Sequence, residues 1–225
     1  MKAVIDFLAE LQVNNNREWF EAHKKDYKYA LSQFNTFAEQ LIAGIASFDK
    51  TVADLTLKDC TYRIYRDVRF SNDKRPYKHH MGAYICMGGK KSGYAGYYFH
   101  LEPEGDGLLG GNMISSGIYM PEPKVLKSVR DEIYDNGAQL ETAIKKAKGF
   151  QMDMSSSLTR TPKGYPQGSD YDKFLRLKDI YLAKFLTNEY ILDKNLIENL
   201  AKEFKTTLDF INILNRAVSF AHEEM

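Results

Sequence analysis

Cysteine is scarce in this 225-residue chain. Cys60 and Cys86 cannot build a disulfide framework, and neither belongs to a C-x-x-C pair, so the usual redox and zinc-finger spacings are excluded. A reducing cytoplasm is the expected setting. An excess of either charge is lacking too. Lys and Arg total 31 against 30 Asp and Glu, so the whole-molecule field argues for neither nucleic acid nor an anionic membrane, and any such interaction must be local. Long apolar runs are missing: nothing approaches the roughly 20 residues that span a bilayer. The opening stretch places Asp6 and Glu10 where a signal peptide needs apolar residues. Neither export nor a membrane partner is expected. Internal repeats and low-complexity tracts are also absent.

What is present is core material. With 15 Tyr and 13 Phe the composition is far from that of a disordered chain. A single core can bury roughly 70% of the unfolded surface at this length, so one domain over residues 1–225 is expected. Residues 3–48 carry helical periodicity. Val4, Leu8 and Leu11 make a first stripe, and Phe20, Tyr27, Leu31, Phe34, Ala38, Leu41 and Ile45 make a longer one. Asn15, three residues before Glu18, has capping-box spacing. Residues 60–120 change texture. Glycines accumulate and aromatic residues alternate with polar ones over His79–Met87 and Tyr94–Glu102, each run ending in turn residues. Strands joined this briefly pair antiparallel. Residues 121–222 read as helical again, with a stop at Asn136-Gly137, a loop near 155–172, and helices over about Lys173–Leu186 and Lys194–His222. The expected architecture is α+β, a central antiparallel curved sheet flanked by N-terminal and C-terminal helices.

Cationic chemistry concentrates between Arg63 and His80. Arg63, Arg66, Arg69, Lys74, Arg75 and Lys78 lie there with only Asp67 and Asp73 as acids. Guanidinium forks match carboxylate and phosphate oxygens. Read as a strand, Tyr62, Ile64, Arg66, Val68 and Phe70 share one face. Arg66 then lies on the apolar side, where it needs a carboxylate, and it is assigned a structural ion pair. Arg63, Arg69, Lys74 and Tyr77 are the expected ligand-binding residues. Asp67, orienting an arginine, and Tyr77, donating a hydrogen bond or proton, are the catalytic candidates.

The pattern Arg63-x-x-Arg66-Asp67-x-Arg69-Phe70-x-x-Asp73-Lys74-x-x-Tyr77 resembles the signature of a widespread, uncharacterised bacterial domain family of about this length. Asn16-Arg17-Glu18-Trp19-Phe20 and Arg176-Leu177-Lys178 extend the likeness over nearly the whole chain. The resemblance implies a single α+β domain of bacterial origin and brings no activity, cofactor or assigned catalytic residue. The Gly110-Gly111-Asn112 bend departs from a more glycine-rich form of the same place, which weakens the case for a backbone anion cradle there.

His79, His80, His100, Cys60 and Cys86 raise the question of a metal. Adjacent His79 and His80 point to opposite faces of a strand, so at most one can join His100, and neither a metal nor a cofactor is expected. Gly88-Gly89-Lys90-Lys91-Ser92-Gly93 lacks the phosphate-loop pattern and reads as a hairpin turn. Glu102, Glu104 and Asp106 read as solvated acids at a strand–turn junction. The expected function is binding of, or catalysis on, a phosphate- or carboxylate-bearing small molecule. One alternative is a single-stranded nucleic-acid module stacking bases on Tyr62, Tyr65, Phe70 and Tyr77. Another is a structural or protein-interaction domain whose arginines are all internally paired. The sequence assigns no oligomeric state.

Overall fold

The computed structural model describes residues 1–105 and 107–223. Helix α1 (Lys2–Val13) buries Val4, Phe7, Leu8 and Leu11, the positions that share one face at 3.6 residues per turn. The second helical stretch is broken. In α2 (Arg17–Ala22) the N-cap is Asn16, whose side chain accepts from the Trp19 N–H, one residue later than the spacing to Glu18 suggests. Asn15 is thereby freed for a tertiary role. The long α3 (Lys24–Ala46) then buries Phe34, Phe37, Leu41 and Ile45. A short α4 (Leu57–Cys60) opens on a capping box in which the Asp59 carboxylate accepts from the Thr56 hydroxyl at 2.6 Å and from its N–H at 2.9 Å.

Strands β1 (Met81–Cys86), β2 (Gly96–Leu101), β3 (Asn112–Ile118), β4 (Gln151–Met152) and β5 (Ile180–Leu186) form one antiparallel sheet in the order β1-β2-β3-β5-β4. The architecture is α+β, with helices flanking a central curved sheet. Directly paired residues share a face, so the registers sort the sheet into two sides. Tyr97, Phe99 and Leu101 lie with Ala83, Met81 and Ile114 on the helix-covered side, where Phe37 packs on Phe99 and Phe204 on Tyr97. Tyr98 and His100 lie with Gly82, Tyr84 and Ser115 on the other side.

Three readings are corrected. Residues 180–186 are a strand between β3 and β4, not the end of a helix; the helix that precedes it, α6 (Asp172–Leu175), is a single turn. Its alternation is subdued because both faces of the strand are partly covered. Asn136-Gly137 bends a helix without ending it: α5 (Pro123–Lys146) runs through, kinked at Asn136, where φ is −126° and ψ 24°. Residues 62–70 are not a strand, so the face parity derived for them has no backbone to act on. They form one limb of a strap, with isolated bridges Thr61–Ala83 and Tyr65–Tyr77. The remaining helices, α7 (Asn188–Ile191), α8 (Leu196–Lys205) and α9 (Leu208–Glu223), close the core, with α9 lying along α5 and across β3. The 155–172 loop is tied down by Tyr165, whose hydroxyl donates to Asp131 at 2.6 Å, and by Leu158 N–H to Arg176 O at 2.8 Å. No helix is long and apolar enough to cross a membrane among the described residues.

Candidate functional site

The strap of residues 61–80 folds back on itself through Arg66 N–H to Pro76 O at 2.9 Å and Lys78 N–H to Ile64 O at 2.8 Å. It is pinned to the helical layer by Asn15, whose amide donates to Tyr77 O at 2.9 Å and accepts from Tyr77 N–H at 3.1 Å. The Tyr77 ring, 4% exposed, stacks on Phe20 with centroids 3.9 Å apart.

The arginines are divided between acids of the strap itself. Arg66 donates to Asp73 at 2.7 Å and to Arg75 O at 3.0 Å. Arg75 shares Asp73 at 3.0 Å. Hydrogen bonds from Arg75, seconded by Arg66, hold the Asp73 carboxyl far below its ordinary range. Arg69 grips Asp67 through two nitrogens, at 2.6 Å and 3.0 Å, and lowers that carboxyl likewise. Lys74 donates to Val68 O at 3.1 Å. Thus Arg69 and Lys74 brace the strap tip, Tyr77 belongs to the core, and the four expected ligand residues do not meet in one pocket. Arg63 is exposed and has no ion pair among the described residues. Beside it Lys78 is partly buried, also without a carboxylate partner among the described residues, its ammonium 5.5 Å from the Tyr62 ring centroid. Burial first, then Arg63 and Arg66, push the Lys78 ammonium to lower pKa. Lys90 lies over the same Tyr62 ring at 5.8 Å.

A second cluster gathers His79, His80 and His100 around Glu102, which their separate positions in the sequence do not suggest. Glu102 is 1% exposed, not a solvated acid; Asp106 lies outside the described residues. Three backbone N–H groups close on the Glu102 carboxylate: Leu108 to Oε1 at 2.6 Å, and Leu109 and Gly110 to Oε2 at 2.7 and 3.0 Å. The glycine bend is therefore an anion cradle, filled by the chain's own carboxylate. Gly107 is required for this approach, since a Cβ there would stand 2.4 Å from the Glu102 carboxyl carbon. Around the same group lie His100 Nε2 at 3.3 Å, His79 Nε2 at 3.4 Å and His80 Nδ1 at 3.8 Å. Tyr98 hydroxyl stands 2.9 Å from His100 Nδ1 and fixes that ring. The opposite-face argument fails because His79 and His80 precede β1, and strand parity does not govern them. Burial acts to raise the Glu102 pKa, yet His100, His79 and the cradle N–H groups together carry it well below the usual carboxylate range. His79 Nε2, at 3.4 Å, approaches the carboxylate without hydrogen-bond alignment. Burial, then His100, push His80 down to about 3 against the pull of Glu102, leaving its imidazole neutral at pH 7.

Shallow grooves occur elsewhere, one of about 500 Å³ between α5 and α9 and one of about 400 Å³ between α3 and α8; neither is lined by the strap or by the histidine cluster. No curated protein and no solved structure was found to match the chain. The family described as conserved hypothetical protein (DUF2461) matches over residues 3–212, which takes in α1 through the first part of α9 and with them the strap and the buried glutamate. The chain belongs to that DUF2461 family.

Proposed function

We propose that the protein binds a phosphate- or carboxylate-bearing small molecule at the cationic face of the strap, through Arg63 and Lys78, in the reducing cytoplasm. The observation that carries this reading is Lys78, a partly buried ammonium flanked by Arg63 and Arg66 and paired with no carboxylate among the described residues. A cation held against like charges gains most from an incoming anion. Arg63 supplies the planar fork and Lys78 the point charge. Tyr62, 45% exposed between Lys78 and Lys90, offers a ring edge for the rest of the ligand. Arg69, Lys74 and Asp67 hold the strap in shape around that face. A thermal-shift screen with phosphorylated metabolites, nucleotides and organic acids tests the reading. At least one should raise the midpoint in the wild type and fail to do so in Arg63→Ala; a screen with no response in the wild type contradicts it.

A second reading has its own support: Phe70 is 96% exposed at the strap tip, with the Arg69 guanidinium 5.8 Å from its ring centroid, while Arg66 and Arg69 are satisfied internally. A single exposed ring is common on protein surfaces, but an aromatic side chain on a braced loop is the kind of anchor that fills a partner's pocket. That role predicts anion-independent capture of a partner, lost in Phe70→Ser. For single-stranded nucleic acid the strap would present Tyr62 between two lysines; salt-sensitive retention on DNA or RNA columns, lost in Tyr62→Ala, is the mark of that alternative.

A further inference from the structure

We propose that His80, His100 and Glu102 form a binding site for one divalent transition-metal ion, with His79 beside it, separate from the anion face and independent of that reading. One donor atom from each of the three residues, two imidazole nitrogens and a carboxylate oxygen, lies within 4.8 Å of the others. Two imidazoles and a carboxylate are a set used by zinc and by non-haem iron. Bonds of about 2.0–2.1 Å in a tetrahedron put neighbouring donors about 3.3 Å apart. His100 Nε2 stands 3.3 Å from Glu102 Oε2, and His80 Nδ1 stands 3.8 Å from Oε1. His80, the one partly exposed member of the set, can close the remaining gap by rotation about its side chain.

Three further observations point to a cation. Glu102 is fully buried and no Lys or Arg pairs with it among the described residues, so imidazoles are its only side-chain complement. The cradle N–H groups and His100 hold this carboxylate charged in the interior, and a buried negative charge of this kind gains further from a bound cation. Next, both ring nitrogens of His79 and Nδ1 of His80 are buried without a hydrogen-bond partner. His79 is 7% exposed and its Nε2 is aimed at the same carboxylate. Buried polar atoms in this state call for an ion or a water. Finally, the outer contacts are those a metal site uses: the Tyr98 hydroxyl on His100 Nδ1 orients that ring, and the three cradle N–H groups fix the carboxylate. Metal on His100 Nε2 would leave the Nδ1 proton to donate to Tyr98. His79 or a water completes the coordination, and an exchangeable fourth position leaves room for Lewis-acid chemistry.

The test uses the full chain without a histidine tag, stripped with chelator and titrated by calorimetry with ZnCl2, and separately with CoCl2 while visible absorption is followed. The expected result is about one equivalent bound per chain, with Co2+ giving the absorption of a low-symmetry nitrogen and oxygen site. His80→Ala should weaken binding by at least about tenfold, while Arg63→Ala leaves it unchanged. Should His80→Ala not fold, Glu102→Gln, which keeps the side-chain shape, serves in its place. Absence of saturable binding in the wild type overturns the site. So does binding that neither substitution weakens, because the ion then lies elsewhere; so does Co2+ absorption identical to that of the aqueous ion, which leaves ordered water as the partner of these histidines.

Discussion

Gly107 carries more of the buried cluster than its size suggests. Its missing side chain lets the backbone lie against the Glu102 carboxylate, so Gly107→Ala must push the cradle off the carboxylate or strain the bend. An expected loss of roughly 1–3 kcal/mol would appear as a lower urea midpoint at unchanged slope; stability equal to wild type would mean that the cradle is not closed. The two thiols give a prediction in pH. Burial pushes Cys60 from 9.0 up to about 12 and Cys86 up to about 11. Neither should react with a disulfide reagent at pH 8 until the chain unfolds. Between about 9 and these raised values the unfolded chain releases protons that the folded chain keeps, so these thiols make stability fall as pH rises. Cys60→Ala should flatten that fall, as followed by denaturation at pH 8, 9 and 10.

At the scale of elements, the long-range lock between Asn15 and the Tyr77 backbone joins two segments 62 residues apart. Asn15→Ala removes both bonds and leaves two part-buried backbone groups unpaired. An expected cost of about 1–3 kcal/mol and faster proteolysis within residues 61–80 are the signatures to look for, by denaturation and by limited digestion with mapped cleavage. How far such elements were legible in the sequence depends on whether local chemistry or tertiary contact decides them. Helices α1, α3 and α9 and the β1–β2 hairpin announce themselves by periodicity and by glycine turns. Strand β5 does not: lying between β3 and β4 with both faces partly covered, it lacks the alternation that separates strand from helix. In the strap, Tyr62, Ile64, Val68 and Phe70 recur at strand spacing, yet the backbone forms only the isolated bridges Thr61–Ala83 and Tyr65–Tyr77 among the described residues. Its polar side chains instead bond to its own carbonyls and carboxylates. The cation-rich segment could be located from composition; which cations stay unpaired could not, since Asp73 reaches both Arg66 and Arg75 only after the chain reverses. The convergence of the histidines on Glu102 is illegible for a similar reason: His79 and His80 lie just outside β1, so strand parity does not separate them.

For the whole molecule, near-neutral overall charge means that guidance of an anion must come from local fields such as that of the strap, and the acids within the strap divide its cations into two groups. Arg66, Arg69 and Lys74 hold the strap together, whereas exposed Arg63 and partly buried Lys78 make no close ion pair among the described residues. Exposed ion pairs contribute little to global stability, so Arg69→Ala should leave the urea midpoint close to the wild-type value while loosening the tip. The most direct measurement is a calorimetric titration of whichever anion gives the largest thermal shift, made in parallel on wild type, Arg63→Ala, Lys78→Ala and Arg69→Ala. Affinity should fall by about tenfold or more in the first two variants, as expected for loss of a charge-assisted contact, and stay within about threefold in Arg69→Ala, where only an exposed pair is lost. Equal affinity in all four proteins, or loss confined to Arg69→Ala, would contradict the assignment of Arg63 and Lys78 as the anion-binding pair.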